Sequence, residues 1–115
     1  MDNYQLHIYR LIIGDKSYIG STWNIEKRMK THACNIDGYH NILRRGKDNL
    51  TWKIRSQLYI HKYKWRDIEV EILYIEELDH KDEFYKTKME QLYINEYDSK
   101  RNGLNTQHAN KNYAV

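Results

Sequence analysis

The chain has 115 residues, of which 40% are hydrophobic, 13% aromatic and 30% charged, with a net charge of +3. That length supports one core, and therefore a single domain over residues 1–115. The lone Cys34 excludes an internal disulfide and a cysteine-built zinc site. It fits an intracellular setting, cytoplasmic or nuclear, and not a secreted one. No apolar run approaches the roughly 20 residues that a membrane-spanning helix needs, so no membrane contact is expected.

Residues 4–13, YQLHIYRLII, are rich in β-branched and aromatic side chains and read as a strand ending at the turn Gly14-Asp15. Residues 17–22, SYIGST, read as its hairpin partner. With a period of two, Tyr9 shares a face with His7 and Leu11, and Tyr18 shares one with Gly20. Asn24 is a good N-cap for a helix running to about Cys34, with Ile25, Met29 and Ala33 as its buried stripe and Arg28 and His32 four apart beside it. Residues 35–48 look irregular, with Asp37-Gly38 as a turn. Asn49 can cap a second helix carrying Leu50, Ile54 and Leu58. Residues 68–75, IEVEILYI, alternate as a third strand. Asp79 can cap a last helix through about Tyr97, stopped at Asn102-Gly103. The order β-β-α-α-β-α predicts an α+β domain with a small three-stranded antiparallel sheet flanked by helices.

Charge is unevenly placed along these elements. Residues 40–66 hold Arg44, Arg45, Lys47, Lys53, Arg55, Lys62, Lys64 and Arg66 against Asp48 alone, whereas residues 67–115 are net acidic. Such a block is the footprint expected for a polyanion, and equally the pattern of a solvated helix face. Trp52 and Trp65 among the cations favour the nucleic-acid reading. The 11 tyrosines serve mostly as core and rim residues, since a phenol packs its ring and keeps its hydroxyl at the edge.

One ordered set stands out: His7-Ile8-Tyr9, Tyr18-Ile19-Gly20, Arg28 and His32 on one helix, His40, Glu90 followed by Gln-Leu-Tyr-Ile, and Asn105. In order and spacing it resembles the catalytic framework of the GIY-YIG nucleases, and is most similar to the homing-endonuclease branch. The likeness runs from Tyr4 to about Thr106. The first motif opens with His7 where the family usually has Gly, and the link RLIIGDKS is shorter than usual. A hairpin shortened by an even number of residues keeps both tyrosines on one face.

The resemblance implies a metal-dependent endonuclease acting on DNA, of a mobile-element, viral, repair or restriction type. Phosphodiester hydrolysis needs a deprotonated water, neutralised phosphate charge and a stabilised leaving oxygen. By resemblance, Glu90 holds one divalent cation, Mg²⁺ or Mn²⁺, and Arg28 clamps the phosphate with its fork of donors. Tyr9 is the favoured base with Tyr18 as its hydrogen-bonding partner, the reverse order remaining open. His32 and His40 bond the phosphate or relay a proton. Asn105 bonds backbone or phosphate and fixes the C-terminal segment. Arg44, Arg45, Lys47, Lys53 and Arg55 bind nucleic acid. With no room for a separate reading module, targeting falls to the basic block, a protein partner or a dimer. The alternative is a catalytically inactive nucleic-acid-binding module with the same fold.

Overall fold

The structure, a computed structural model, describes residues 3–38, 52–98 and 103–105. β1 (Tyr4–Ile13) and β2 (Lys16–Thr22) form a hairpin, followed by α1 (Ile25–Asp37). After α2 (Trp52–His61) and a 3₁₀ turn (Trp65–Asp67) come β3 (Glu69–Leu78) and α3 (Glu83–Tyr97). The three strands make one antiparallel sheet in the order β2-β1-β3. This is the predicted α+β architecture.

β1 is the central strand, and both of its faces are covered. Tyr9, Leu11 and Ile13 point to one side, where they join Ile36 of α1 and Ile54 and Leu58 of α2. Leu6 and Ile8 point to the other, where they meet Ile19 of β2 and Ile94 of α3. Each of these β1 residues is fully buried. Burying an aliphatic side chain of this size contributes about 1.5–3 kcal/mol. That explains why β1 reads as a near-continuous apolar run while β3, at the sheet edge, alternates with glutamates.

The two-residue loop Gly14-Asp15 closes the hairpin, with Gly14 at φ +66°, a conformation that suits a residue without Cβ. The register pairs Tyr9 with Gly20 and Leu11 with Tyr18. Tyr9 and Tyr18 are therefore diagonal neighbours on one face, as the even shortening of the hairpin requires. On the other side of β1 the pairing slips, with Ile8 opposite Tyr74 and Tyr9 opposite Ile72. The extra residue, Leu73, packs into the cluster under α3. A bulge beside a functional residue re-aims the strand locally.

Several boundaries differ from the sequence expectation. α1 runs on to Asp37, because Gly38 N–H bonds to the carbonyls of Cys34 and Ile36; the expected Asp37-Gly38 turn is the helix C-cap. The buried residues of α1 are His32 and Ile36, with Ile25 and Met29 packed partly against the core, so the stripe is rotated away from Ala33. β3 extends to Leu78 to pair with Tyr4. Four residues then separate it from α3, and the cap is Asp82, whose side chain accepts Tyr85 N–H. Asp79 is instead held by His80 Nδ1 at 2.6 Å.

Among the described residues, no helix is long and apolar enough to cross a membrane.

Candidate active site

The first tyrosine motif places Tyr9 at the middle of the central strand. Its ring lies across Gly20, its cross-strand partner. A Cβ added at Gly20 would collide with Oη and Cζ of Tyr9. Glycine in the second motif is therefore a packing requirement of the phenol opposite it.

The hydroxyl of Tyr9 sits 2.7 Å from His32 Nε2, and Arg28 Nε donates to it at 3.3 Å. Tyr9 is fully buried and His32 is 5% exposed. Burial, then the charge of Arg28, pushes the His32 pKa down to about 4, so the imidazole is neutral at pH 7. Tyr9 is held well above the ordinary phenol value, first by burial and then by Tyr18, with Arg28 opposing. Two neutral groups with Arg28 as donor have one arrangement that satisfies all three. The Tyr9 O–H donates to Nε2, His32 keeps its proton on Nδ1, and the Tyr9 oxygen accepts from Arg28. Arg28, four residues before His32, is thereby held at its Nε, and its guanidinium also hydrogen-bonds to Tyr18.

Tyr18 is half-buried and faces the same cluster. Its ring meets that of His32 edge-on at 6.0 Å. Burial, then the negative charge of Glu90, raises its pKa, while Arg28 works against both. Glu90 approaches from α3 on the other side of the sheet. Its Oε1 accepts Ser21 Oγ at 2.5 Å, next to Gly20 on β2. Burial raises the Glu90 pKa, with Ser21, Lys86 and Arg28 opposing. The site thus wraps around β2, with the phenols and Arg28 on one side and the carboxylate on the other.

Asn105 is buried beside the same strand. Its Oδ1 accepts Ile19 N–H and its Nδ2 donates to Ile19 C=O, both at 2.9 Å. Leu104 N–H bonds to Ser17 C=O at 2.8 Å. The segment therefore completes the outer edge of β2, and Asn105 is a backbone clamp on the middle residue of the Tyr-Ile-Gly motif. Unsatisfying a buried peptide group destabilises by about 1–3 kcal/mol. Lys53, expected to bind nucleic acid, donates its Nζ to the Asn105 carbonyl at 3.0 Å. His40, Arg44, Arg45 and Lys47, and the side chain of Arg55, lie outside the described residues.

His7, in the place usually held by Gly, is 8% exposed on the Tyr9 face, opposite Thr22 and Ile75. Its Nδ1 is buried without a hydrogen-bond partner among the described residues. Two site residues escaped the sequence reading. Ser21 carries no signal beyond its place next to Gly20. Trp65 stacks parallel to His32, at 6.4 Å between centroids and 10° between planes.

The Gly20 packing gives a direct test. Gly20→Ala is expected to displace the Tyr9 phenol from His32 and Arg28. Overpacking a core position destabilises by about 1–3 kcal/mol, which a thermal melt reads. A displacement of about 1 Å at a reacting centre lowers rate by about 10²-fold, which single-turnover cleavage reads. An alanine variant with wild-type melting and rate would show that the phenol does not depend on the glycine.

A profile of the GIY-YIG catalytic domain matches residues 5–105. A search of curated proteins returned no match. Among solved structures, the chain is similar to the catalytic domain of the intron endonuclease I-TevI, in a variant with one glutamate changed to alanine. That likeness has 25% identity and a TM-score of 0.67, over 92% of this chain and 97% of the other. The residues that the profile spans include both tyrosine motifs, Arg28, His32, Glu90 and Asn105, and the fold is shared, so the chain belongs to the GIY-YIG catalytic-domain family of endonucleases.

Proposed function

We propose that this domain is an endonuclease that hydrolyses DNA phosphodiester bonds with one divalent cation, Mg²⁺ or Mn²⁺, held by Glu90. The observation that carries the reading is the meeting of Tyr9, Tyr18, Arg28 and His32 on one side of β2 with a half-buried carboxylate on the other. A non-catalytic binding module would need the basic block alone, and would leave unexplained why α3 holds Glu90 half-buried with an unfavourable ionisation.

The donor set fits such a cation. Among the described residues, no three His, Cys, Asp or Glu side chains come together. A cation here would have one hard carboxylate oxygen from the protein and take the rest from water and substrate, the habit of Mg²⁺. When bound, it supplies positive charge to the phosphate and leaving oxygen, and replaces the negative field of Glu90 that holds Tyr18 up.

The chain's own groups do the remainder. Tyr9 is closed to solvent and has both its donor and acceptor roles filled, so it serves to fix Arg28. Tyr18 is the phenol that responds more strongly to charge at Glu90, and we assign it as the base, reversing the order favoured from sequence. In its deprotonated form, Tyr18 Oη takes a proton from the attacking water as the water oxygen bonds to phosphorus, and the leaving oxygen departs with the electron pair of the broken P–O bond and is protonated by solvent. The terminal amino groups of Arg28 hold the non-bridging oxygens. Neutral His32 keeps the Tyr9 hydroxyl turned towards itself.

The test is cleavage of supercoiled plasmid by the full chain with Mg²⁺ or Mn²⁺ and with chelator. Nicked and linear products that require the cation are expected; cleavage that survives chelation would overturn the single-cation reading. DNA recognition has its own test. Replacing Arg44, Arg45 and Lys47 together is expected to weaken binding and flatten its salt dependence, by about 0.9 in log–log slope for each phosphate that is no longer neutralised. An unchanged slope would make the block a solvated surface.

A further inference from the structure

Trp65 has no part in the chemistry above, yet the fold brings it onto the site. Asp37, the last residue of α1, accepts the Trp65 backbone N–H at 2.7 Å. The 3₁₀ turn is closed by Asp67 N–H to Lys64 C=O, and Lys64 N–H to the Asp67 carboxylate, both at 2.9 Å. Ile68, the next residue, is anchored in the same buried cluster as Tyr9 and Ile36. The helix that carries Arg28 and His32 thus also draws the indole onto the His32 ring.

His32 is then enclosed on three sides. The Trp65 plane lies parallel to it, and the rings of Tyr9 and Tyr18 meet it edge-on at 5.6 and 6.0 Å. A histidine χ2 is broad and roughly two-fold, so the ring can ordinarily turn and exchange its two nitrogens. A parallel indole restricts that rotation. We propose that Trp65 is a positioning residue of the site, whose indole holds the His32 imidazole in the orientation that offers Nε2 to the Tyr9 hydroxyl and so fixes Arg28.

The consequence passes from ring to ring. With Nε2 turned away, the Tyr9 O–H loses its acceptor in a dry environment and rotates. The oxygen that accepts from Arg28 Nε moves with it. Binding of DNA by the basic block is untouched, whereas alignment of the guanidinium is lost. The effect on turnover rests on the nuclease reading; the placement of His32 does not.

The experiment uses the full chain with ¹⁵N-labelled histidine rings, without metal, as wild type, Trp65→Phe, Trp65→Leu and Asp37→Ala. Among the described residues, the titratable and charged groups facing His32 are Tyr9 from β1, Tyr18 from β2 and Arg28 on its own helix, and all are retained in each variant. In wild type, His32 is expected to hold one tautomer, unprotonated at Nε2, and to titrate well below the ordinary 6.5. Trp65→Leu is expected to mix the tautomers and move the midpoint up by about one unit, towards that of an exposed ring. Single-turnover cleavage is expected to fall about tenfold, with KM within about twofold, since a kcat loss without a KM change reports alignment. Trp65→Phe recovers most of both, because a flat ring remains. Asp37→Ala, at an exposed helix end, shifts the same resonances in the same direction by less, and it decides the matter if the leucine variant does not fold. A folded leucine or alanine variant with the wild-type His32 tautomer and midpoint overturns the proposal. If the resonances shift as expected but the wild type does not cleave DNA, the positioning stands and the nuclease reading fails.

Discussion

Glu90→Gln is expected to abolish cation-supported cleavage and, at the same time, to raise the melting temperature of the metal-free domain. The first effect follows from charge. Glutamine keeps the shape and the hydrogen bond from Ser21, but a neutral amide oxygen is a poor ligand for a hard divalent cation. The second follows from burial. The Glu90 pKa is raised in the folded protein, first by burial, so the folded state binds this proton more tightly than the unfolded chain does. Its contribution to stability is fully present below the unfolded value of 4.5 and is lost as pH rises through the higher folded value. At pH 7 the ionised group is therefore a net destabiliser, and the variant escapes that cost. Melting curves from pH 4 to 8 check the sign: the advantage of Glu90→Gln grows with pH and then levels off. Mg²⁺ should raise the wild-type melting temperature and leave the variant unmoved, since a ligand that binds only the folded state stabilises it. A variant that cleaves at the wild-type rate, or melts lower than wild type across this range, would remove Glu90 from the metal site.

Legibility in the sequence followed the range of the interactions involved. The hairpin was readable because its information is local: β-branched and aromatic runs flank Gly14-Asp15, and period two puts Tyr9 and Tyr18 on one face. The site was readable only as an ordered set, because Glu90 stands 69 residues from Ser21 and nothing near it announces burial. A glutamate on a charged helix resembles any other. Apolar periodicity misassigned the inner face of α1, giving Ala33 the place held by His32 and Ile36. His32 is buried because Tyr9 supplies its partner across 23 residues, which no helical period can report. Asn105 was expected near the site, but its pairing with both polar groups of Ile19 depends on β2 having a free outer edge. Asp79 and Asp82 both suit an N-cap, and only the pairing of Leu78 with Tyr4 decides between them. Trp65 was visible among the cations as an indole for bases; its stacking on His32 depends on Asp37, 28 residues earlier.

Tyr18→Phe is expected to lower single-turnover cleavage by about 10²–10⁴-fold, the range for a lost general base, with the fold intact. The ring stays packed against the buried cluster, and only the hydroxyl and its hydrogen bond with Arg28 are removed. Tyr9→Phe is expected to do something different. It deletes the acceptor of Arg28 Nε and the donor to His32 Nε2 in a fully closed position. Leaving buried polar partners unsatisfied destabilises by about 1–3 kcal/mol, so this variant melts lower and loses rate through a misaligned guanidinium. The pH profile separates the two roles. Burial and Glu90 hold the Tyr18 pKa above the ordinary phenol value of 10.0, so the base is mostly protonated near neutrality. Below that raised pKa the wild-type rate therefore climbs with pH, by about tenfold per unit for a single deprotonation. Tyr9→Phe keeps that slope at a lower rate, because its base is still present. Tyr18→Phe flattens it, because the residual reaction no longer waits on the phenol. A Tyr18→Phe variant that retains both rate and slope, beside a Tyr9→Phe variant whose slope is gone, would return the role of base to Tyr9.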